Sequence, residues 1–292
     1  MKCHLLITGH TGFVGSALIS ALQGNVDYEI SGASRANGKD LLASHVLEQL
    51  PKADKIIHLA ALVGVLQGWE RPREVYQTNI ISTLNVLEFA RLQRIPVIYL
   101  SSYIYGSPQY LPIDESHPIN CGNPYAVSKL QAEMLCENYA KHFGVPVTIL
   151  RPFNLYGPGQ TRESLIPSII WQAKEKNSIQ VKDLRPKRDY LYIADMVDAL
   201  VKVIRSEQRG LEIYNVGFGK SYSVKEVIDT VSKLMGKHLP VHSTEEYRRN
   251  EIMDCYSDSK KFSERLGWRQ KVDLEEGIKR LLNSHECTPI QS

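Results

Sequence analysis

Two residues one helical turn apart, Tyr125 and Lys129, are the strongest candidates for acid–base chemistry in this chain. Side chains spaced i, i+4 on a helix lie on the same face. A free tyrosine has a pKa of about 10 and is a poor acid or base near neutral pH. A neighbouring ammonium group favours the phenolate form. The pair is therefore suited to exchanging a proton with a substrate hydroxyl or carbonyl group.

A second Y-x-x-x-K pair, Tyr256 and Lys260, shows that the spacing alone is weak evidence. Composition produces roughly one such pair by chance. Tyr125 follows the fourth predicted strand and its loop, so it can stand at the carboxyl edge of a sheet, whereas Tyr256 lies in a polar stretch that we interpret as surface. The alternative for Tyr125 and Lys129 is an ordinary amphipathic helix face.

A third candidate, Ser101, stands where the fourth predicted strand ends in Leu100-Ser101-Ser102-Tyr103. A serine hydroxyl at that edge can hydrogen-bond a reacting oxygen and polarise it. The alternative is a serine that only caps the backbone at the end of the strand.

A glycine-rich turn, G-x-x-G-x-x-G at residues 9–15, follows the first predicted strand and precedes the first predicted helix. Glycines let the backbone turn tightly and approach a pyrophosphate, and the helix N-terminus supplies free N–H groups. A glycine triple alone can be merely structural, but its placement between strand and helix favours a dinucleotide site.

The residues after the second predicted strand bear on which dinucleotide binds. Enzymes that prefer NAD usually place an acidic residue here for the ribose hydroxyls. This chain has Arg35, which suits a 2′-phosphate, although a solvated surface arginine is the alternative. Asp40 and Leu41 follow, where we expect a contact with the adenine. We therefore expect NADP(H) in preference to NAD(H).

Alternating strands and helices must position these residues. Apolar runs predict buried strands, and i, i+3, i+4 apolar spacing predicts helices between them. A parallel sheet covered on both faces follows, with ligands at the carboxyl ends of its strands. The strands are predicted at 4–9, 28–33, 55–61, 96–102 and 146–152, and the helices at 13–23, 43–50, 81–93 and 124–144.

The pattern becomes less regular after Pro152, which indicates a second, smaller domain assembled from two stretches. The segment 189–205 looks like a return to the first domain, and helices are expected at 164–176, 223–236 and 274–282. The predicted fold class is α/β, a doubly wound parallel (Rossmann) sheet with a smaller C-terminal α/β substrate domain. The dinucleotide-binding domain comprises 1–153 and 187–214, and the substrate domain comprises 154–186 and 215–292.

Composition excludes several classes of protein. A net charge of +3 is too small to argue for nucleic acid or an anionic membrane. No apolar run approaches the roughly 20 residues that span a bilayer. The five cysteines form no C-x-x-C pair, so neither a zinc site nor a disulfide framework is indicated. We expect no metal, no nucleic acid, no membrane, and a cytoplasmic location.

Seven motifs together resemble the extended short-chain dehydrogenase/reductases, the NAD-dependent epimerase/dehydratase group that acts on nucleotide sugars. The resemblance spans nearly the whole chain. The motifs are T-G-x-x-G-F-V-G (8–15), H-L-A-A (58–61), Asn79 before a helix, S-S-x-x-Y-G (101–106), P-Y-x-x-S-K (124–129), R-P-x-N-x-Y-G-P (151–158) and R-D-Y-x-Y-I-x-D (188–195).

The resemblance implies roles for individual residues. Ser101, Tyr125 and Lys129 would form the catalytic triad, and Lys129 would also hold the ribose hydroxyls. Together with the glycine loop, the predicted cofactor-binding residues are Gly9, Thr11, Gly12, Phe13, Val14, Gly15, Arg35, Asp40, Leu41, Leu59, Ala60, Ala61, Asn79, Tyr125, Lys129 and Pro152. The predicted substrate residues are Val63, Ser102, Tyr103, Asn154, Leu165, Val181, Arg188 and Arg248.

Two of these arginines would clamp the substrate diphosphate or its ribose. Arg188 matches the family arginine before D-Y. Arg248 rests on a weaker match, because the family's R-P-G-D appears here as Arg248-Arg249-Asn250-Glu251. A solvated charge is the alternative for either arginine.

Departures from the family pattern exclude some of the reactions that the family catalyses. Dehydratases and decarboxylases place Asp-Glu or Ser-Glu where this chain has Ser102 and Tyr103, so elimination is not expected. GDP-fucose synthases place an acid–base cysteine where Tyr103 stands, although the segment 60–64 and the short connection before the third strand look synthase-like. The reactions that remain take place at C4 of the sugar alone: reduction of a 4-keto group or epimerisation at C4.

Three functions stay open at this point. The first choice is an NAD(P)H-dependent 4-ketoreductase for a nucleotide-linked 4-keto-6-deoxyhexose, for example one forming TDP-fucose or GDP-rhamnose. The alternative is a UDP-sugar 4-epimerase that holds NAD. The third is a non-catalytic nucleotide-sensing protein, against which the intact Ser-Tyr-Lys set argues. Family members commonly dimerise by pairing two helices, so a homodimer is expected, and the apolar helix 81–93 is compatible with one.

Overall fold

A six-stranded parallel sheet carries most of the candidate site residues in the computed structural model, which describes residues 2–246 and 251–284. The strands are β1 (Cys3–Thr8), β2 (Tyr28–Ala33), β3 (Lys55–His58), β4 (Val97–Leu100), β5 (Val147–Pro152), β6 (Asn154–Tyr156), β7 (Ile179–Val181), β8 (Lys187–Tyr192), β9 (Leu211–Val216), β10 (Ser221–Ser223) and β11 (Val241–Ser243). The large sheet has the order β2-β1-β3-β4-β5-β9, and every pairing in it is parallel.

The helices cover both faces of this sheet, as its continuous apolar strands predict. They are α1 (Phe13–Leu22), α2 (His45–Glu48), α3 (Val65–Glu70), α4 (Pro72–Tyr76), α5 (Ser82–Gln93), α6 (Pro124–Phe143), α7 (Leu165–Glu175), α8 (Ile193–Arg205), α9 (Val224–Met235), α10 (Lys260–Leu266) and α11 (Leu274–Asn283). Alternate strand residues separate into two cores. Leu6 and Ile56 pack with α5 and α6, whereas Ile7 and Ile57 pack with α1 and α8.

The α/β doubly wound fold predicted from the sequence is confirmed. The chain runs from β1 outward to β2 and then returns to the other side of β1 for β3, β4 and β5. This reversal opens a crevice at the carboxyl ends of β1 and β3, the place where doubly wound sheets bind ligands.

Helix α6, which carries Tyr125 and Lys129, begins and ends at residues whose chemistry fixes its limits. The Asn123 side chain accepts a hydrogen bond from the Ala126 N–H at 2.9 Å, and Pro124 occupies the first helical position. Gly144 ends the helix in the left-handed conformation, with φ 69°. Tyr125 is thereby held in the first turn, close to the sheet edge.

The helix predicted at 43–50 is wrong in extent, because only the single turn α2 forms there. Leu47 and Leu50 are both buried, so the apolar spacing reports burial rather than a long helix. Pro51 follows directly and disfavours helical geometry in the residue before it.

A smaller three-stranded sheet, β10-β8-β6, and the two-stranded pair β11-β7 accompany α7, α9 and α11 around a separate apolar core. Strand β8 lies in the segment 187–214 that the sequence assigns to the dinucleotide-binding domain, yet it pairs with β6 and β10. The following helix α8 packs against α1 on the large sheet. The predicted division into two domains stays a prediction.

Within residues 2–246 and 251–284, none of the helices has the length and apolar character needed to cross a bilayer. The same residues contain no group of three or more His, Cys, Asp or Glu side chains placed to hold a metal ion.

Candidate active site

The carboxyl end of β4 brings the three predicted catalytic residues together. The Ser101 N–H continues the strand by donating to the Leu150 carbonyl at 2.8 Å. The Lys129 Nζ reaches across from α6 and donates to the Leu100 carbonyl at 2.6 Å. The Tyr125 hydroxyl hydrogen-bonds the Ser102 side chain. Leu100 and Ser102, the residues on either side of Ser101, therefore both contact the face of α6 that carries Tyr125 and Lys129.

Lys129 is almost fully buried, with 2% of its surface exposed. Burial lowers the pKa of its ammonium group to about 7, and the nearby charge of Glu133 opposes that fall. Its Nζ also lies 4.3 Å from the centre of the Tyr99 ring, a cation–π distance. A lysine in this setting can gain or lose a proton near neutral pH.

Tyr125 is held in its neutral form by the same surroundings. Burial raises the pKa of the phenol, and the hydrogen bond with Ser102 partly offsets the rise. A protonated phenol is the species that can donate a proton to a developing alkoxide.

The Ser101 hydroxyl is buried, and it has no hydrogen-bond partner among the residues that the structure describes. Native structures satisfy nearly all buried polar groups. A hydroxyl left open beside Tyr125 and Lys129 is therefore suited to a ligand oxygen, which is the role the sequence predicts for it.

Helix α3 packs tightly against the start of α6, behind Tyr125, through Gly68. A Cβ added at Gly68 would lie 2.9 Å from the Tyr125 backbone nitrogen and 3.3 Å from the Tyr125 Cβ. Only a residue without a side chain allows α3 and α6 to approach this closely. Gly68 thus helps set the position of Tyr125, a role that no sequence motif indicates.

The glycine turn leaves room and donors for a phosphate group. Gly9 adopts φ 68°, and a Cβ there would meet the Ala60 nitrogen at 2.6 Å. A Cβ at Gly15 would meet the Gly9 carbonyl at 2.3 Å, so the turn is closed by direct backbone contact. Thr11 and Gly12 are exposed at the N-terminus of α1, where the first N–H groups have no partner within the helix. This cradle fits the pyrophosphate of a dinucleotide.

The end of β2 carries basic side chains. Arg35 is exposed and makes no ion pair with any residue the structure describes. Lys39 lies against the Gly32 carbonyl, with its Nζ 3.4 Å away. The His10 ring packs on Gly32, and its Nδ1 is buried without a partner within the described part of the chain. The nearby carboxylate of Asp40 accepts the Leu42 N–H at 3.0 Å.

Asn79 joins the loop after β3 to helix α6. Its Oδ1 accepts the Leu62 N–H at 2.8 Å, and its Nδ2 donates to the Ser128 Oγ at 2.9 Å. It lies in a π-helical turn, Gln77–Ile81, just before α5. The side chain is thus fully engaged by protein groups, and Leu59, Ala60 and Ala61 line the same loop, half-buried.

Three aromatic side chains, Tyr103, Tyr105 and Phe153, form a cluster next to the end of β4. The Tyr103 ring lies 5.2 Å from the Phe153 ring and 5.8 Å from the Tyr105 ring, edge to face. Its hydroxyl donates to the Gly106 carbonyl, and burial raises the pKa of the phenol. Cys255 lies beside Tyr103, and burial raises the pKa of its thiol to about 11. Neither residue is poised as an acid or base.

The predicted diphosphate clamp is only partly described. Arg188 forms an ion pair with Glu251 and donates to the Ile252 carbonyl. Arg248 lies outside the described residues. Asp189, next to Arg188, is fully buried and accepts four hydrogen bonds that fasten two separate segments to β8. The donors are the N–H groups of Phe218, Gly219 and Ser257 and the Ser257 hydroxyl.

The remaining predicted residues lie around the crevice or beneath it. Asn154 and Val63 are exposed, and Leu165 and Val181 are half-buried against the smaller core. Leu41 is buried in the main core, and Pro152 ends β5 paired with Val216 of β9. Phe13 and Val14 also pack against the smaller core.

Sequence reasoning missed His10, Lys39, Ser102 as the partner of Tyr125, and Gly68. His10 and Lys39 flank the two features that the sequence did single out, the glycine turn and Arg35. A search for every basic residue near those features would have found both. Nothing local marks Gly68, because its role depends on a helix 57 residues away along the chain.

Comparison with known proteins identifies the family of this chain. The model of the NAD dependent epimerase/dehydratase family matches residues 5–217, which is more than half of the chain. The chain belongs to this family. It is an NAD(P)-dependent oxidoreductase or epimerase of the extended short-chain dehydrogenase/reductase group, as the motifs indicate.

Similar proteins within the family have different activities. A putative UDP-glucose 4-epimerase of Methanocaldococcus jannaschii is 32% identical, with 96% of this chain and 97% of the relative covered. A GDP-6-deoxy-D-mannose reductase of Pseudomonas aeruginosa is 29% identical, with 98% of each chain covered. The solved structure of RMD from Pseudomonas aeruginosa complexed with NADPH has a TM-score of 0.87, 28% identity, and covers 96% of this chain and 98% of that one.

Proposed function

We propose that this protein is an NADPH-dependent reductase that acts at C4 of a nucleotide-linked 4-keto-6-deoxyhexose. The observation that carries the proposal is the basic end of β2, where Lys39 and His10 both lie against Gly32, Arg35 is exposed three residues farther on, and the Asp40 carboxylate accepts the Leu42 N–H. A 2′-phosphate favours such a site, whereas ribose hydroxyls favour a carboxylate. A cofactor that is consumed and released suits a reductase.

The similarity to a GDP-6-deoxy-D-mannose reductase over nearly the full length supports the same proposal. The absence of an acidic side chain at residues 102 and 103 also fits, since Ser102 and Tyr103 cannot drive an elimination. The Tyr103 hydroxyl already donates its proton to the Gly106 carbonyl, so Tyr125 would be the proton donor.

The bound cofactor would supply hydride to the C4 carbonyl. The Ser101 hydroxyl would hydrogen-bond the carbonyl oxygen and polarise it. Tyr125 would give that oxygen its proton, and Lys129 would supply positive charge beside the resulting phenolate. The proton on Lys129 is available near neutral pH because burial brings its pKa to about 7.

The substrate would lie between the six-stranded sheet and the smaller sheet β10-β8-β6. Asn154 and the two arginines, Arg188 and Arg248, would contact the diphosphate, with Arg188 exchanging its Glu251 partner for phosphate oxygens. Val63 and Tyr103 would face the sugar, and Leu165 and Val181 the base. The apolar character of Val63 and Tyr103 suits a methyl group at C6 better than a hydroxymethyl group.

The second candidate is a UDP-sugar 4-epimerase, favoured by the 32% identity to a putative enzyme of that kind. It would use the same triad but return the hydride to the opposite face of the sugar. It needs no net cofactor and benefits from holding NAD through the cycle.

One assay separates the two candidates. We expect purified protein to carry little bound NAD, and a TDP- or GDP-linked 4-keto-6-deoxyhexose to drive NADPH oxidation in proportion to the sugar consumed. Mass spectrometry of the products identifies the reaction. Interconversion of UDP-glucose and UDP-galactose without added cofactor, with 4-keto sugars leaving NADPH untouched, would replace the reductase by the epimerase. Stoichiometric binding without turnover of any sugar nucleotide would favour the sensing protein.

Arg35→Ala tests the cofactor preference. A charge-assisted hydrogen bond contributes roughly 1.5–3 kcal/mol, so NADPH binding should weaken about ten-fold or more while NADH binding stays nearly unchanged. The control is Arg209→Ala, an exposed arginine before β9. Dissociation constants for both cofactors decide the matter, and equal losses for NADPH and NADH would assign Arg35 to structure or to the adenine instead.

Gly68→Ala tests the positioning of Tyr125. The new methyl group must displace α3 or Tyr125, and misplacement of a catalytic group by about 1 Å can cost on the order of 10²-fold. We expect turnover to fall about ten-fold with cofactor affinity retained. Gly122→Ala is the matched control, because a Cβ there meets no atom within 4 Å. Equal turnover in the two variants would remove Gly68 from the site.

Two further expectations belong to this proposal. Ile81, Leu92, Met134 and Phe143 are exposed apolar residues on or next to α5 and α6, which supports a homodimer that pairs these helices. Analytical ultracentrifugation showing only monomer at micromolar concentration would reject it.

The four described cysteines are free thiols, which fits a cytoplasmic location.

A further inference from the structure

A buried series of hydrogen bonds crosses the floor of the crevice from β1 to α5. The Ala60 N–H donates to the Thr8 Oγ1 at 3.3 Å, and the Thr8 Oγ1 lies 2.7 Å from the His58 Nδ1. On the other side of the ring, the His58 Nε2 lies 3.0 Å from the Thr83 Oγ1, which donates to the Asn79 carbonyl at 2.7 Å. Thr8, His58 and Thr83 are all at most 1% exposed.

Counting protons gives every bond in this series a direction. The Asn79 carbonyl can only accept, so the Thr83 hydroxyl proton is committed to it. The Thr83 oxygen must then accept from His58, which places a proton on Nε2. In a neutral ring the Nδ1 is an acceptor, so the Thr8 hydroxyl donates to it, and the Thr8 oxygen is left to accept the Ala60 N–H.

The series continues to the catalytic helix. The Asn79 Nδ2 donates to the Ser128 Oγ at 2.9 Å, and the Ser128 hydroxyl donates to the Tyr125 carbonyl at 2.7 Å. Each hydroxyl has one proton, and each is used once. The loop at Ala60, the Asn79 side chain and the first turn of α6 are therefore tied by one consistent set of donors and acceptors.

The family resemblance implies that Ala60 and Asn79 contact the nicotinamide. We propose that His58, as the neutral tautomer protonated at Nε2, is a positioning residue that fixes the Ala60 loop and Asn79 against that end of the cofactor. The proposal rests on the cofactor site proposed above, but not on which sugar is reduced. Only an imidazole offers an acceptor and a donor on opposite sides of one flat ring, which spans the gap between Thr8 and Thr83. An ordinary buried aliphatic residue would fill the space without joining the two threonines.

The surroundings keep the ring neutral. Burial, reinforced by the positive charge of Lys129, lowers the pKa of His58 to about 3. A protonated ring would have two donors, and the Thr8 hydroxyl could then no longer donate to it. The tautomer is thus fixed by its neighbours across the physiological pH range.

The tautomer itself can be measured. In protein labelled with ¹⁵N-histidine, long-range proton–nitrogen NMR spectra should show His58 neutral and protonated at Nε2 at pH 7, with Asn79→Asp or His58→Gln used to assign the signal. A ring protonated at Nδ1, or an imidazolium, would overturn the proposal. This readout needs neither substrate nor activity.

The positioning role is tested by removing one hydroxyl. Thr83→Val keeps the shape of the side chain and leaves the His58 N–H without an acceptor, while Thr83→Ser keeps the hydroxyl. Thr148→Val, at a buried threonine of β5 outside the series, is the control. The ligands are NADPH and 2′-phospho-ADP-ribose, which lacks nicotinamide, and binding is measured by calorimetry.

We expect Thr83→Val to weaken NADPH about ten-fold, since a lost buried hydrogen bond typically has that effect, and to leave 2′-phospho-ADP-ribose within about two-fold. Thr83→Ser and Thr148→Val should bind both ligands as the unaltered protein does. Equal weakening for both ligands, or a lower melting temperature with unchanged NADPH affinity, would show a purely structural role and overturn the proposal. If Thr83→Val fails to fold, the tautomer measurement on the unaltered protein still decides.

Failure of this proposal is distinguishable from failure of the proposed function. An epimerase that holds NAD would still show the Nε2–H tautomer and the nicotinamide-dependent loss, measured with NAD and ADP-ribose. A reductase with the other tautomer would retain its sugar assignment and lose only the role of His58.

Discussion

Replacing Tyr125 with phenylalanine is expected to lower turnover by about 10²–10⁴-fold, the usual contribution of a positioned general acid or base. The change deletes only the hydroxyl that bonds the Ser102 side chain. The helix limits set by Asn123 and Gly144 are untouched, so the fold should survive. Initial rates of NADPH oxidation with the active sugar nucleotide measure the loss.

The chain supplies its own control for this experiment. Tyr256→Phe alters the other Y-x-x-x-K pair, whose lysine, Lys260, is largely exposed and pairs with Glu264 instead. We expect Tyr256→Phe to keep its turnover and Tyr125→Phe to keep its affinity for NADPH. Near-normal turnover of Tyr125→Phe would end the mechanism proposed for this site.

Glu133→Gln is expected to destabilise the protein by about 3–5 kcal/mol, the usual result of breaking a buried ion pair from one side. Glu133 lies one turn after Lys129 on α6 and holds the guanidinium of Arg151 through three hydrogen bonds of 2.6–3.1 Å. Their side chains are 1% and 4% exposed. Arg151 also donates to the Tyr105 hydroxyl at 2.9 Å, so an uncompensated charge would be left in the core. Chemical denaturation gives the free energy of unfolding.

Two further variants separate the buried charge from a general effect of mutating α6. Glu137→Gln, one turn farther on the exposed side, should change the unfolding free energy by less than about 0.5 kcal/mol. Glu133→Met with Arg151→Met removes both charges and should cost less than Glu133→Gln alone. A loss below about 1 kcal/mol for Glu133→Gln would mean that water or another group compensates Arg151.

Local sequence patterns predicted most strands, helices and turns because interactions between neighbouring residues determine them. A few neighbouring residues are enough to specify several features: the apolar strands, the glycine turn before α1, and the Asn-Pro start and glycine end of α6. The edge of β4 and the Tyr125–Lys129 face follow from strand and helix periods. These patterns were enough to place Ser101, Tyr125 and Lys129 at one sheet edge.

The same patterns could not say which buried residues touch. The spacing in 43–50 reports burial of Leu47 and Leu50 but not the single turn that forms. The segment 189–205 indicated a return to the first domain, which stays a prediction, but it could not predict that β8 pairs with β6 and β10, because strand partners are chosen by tertiary packing.

The sequence by itself therefore determined the class of fold and the family, and it predicted the glycine turn and the Tyr125–Lys129 pair as the sites of cofactor binding and proton transfer. Only the tertiary structure decided that Ser102 bonds Tyr125, that Gly68 sets the spacing of α3 and α6, and that His58 joins Thr8 to Thr83. The physical reason is range. Secondary structure is set by contacts within a few residues, whereas these contacts join residues 23 to 57 positions apart, which only the folded sheet and its helices bring within bonding distance.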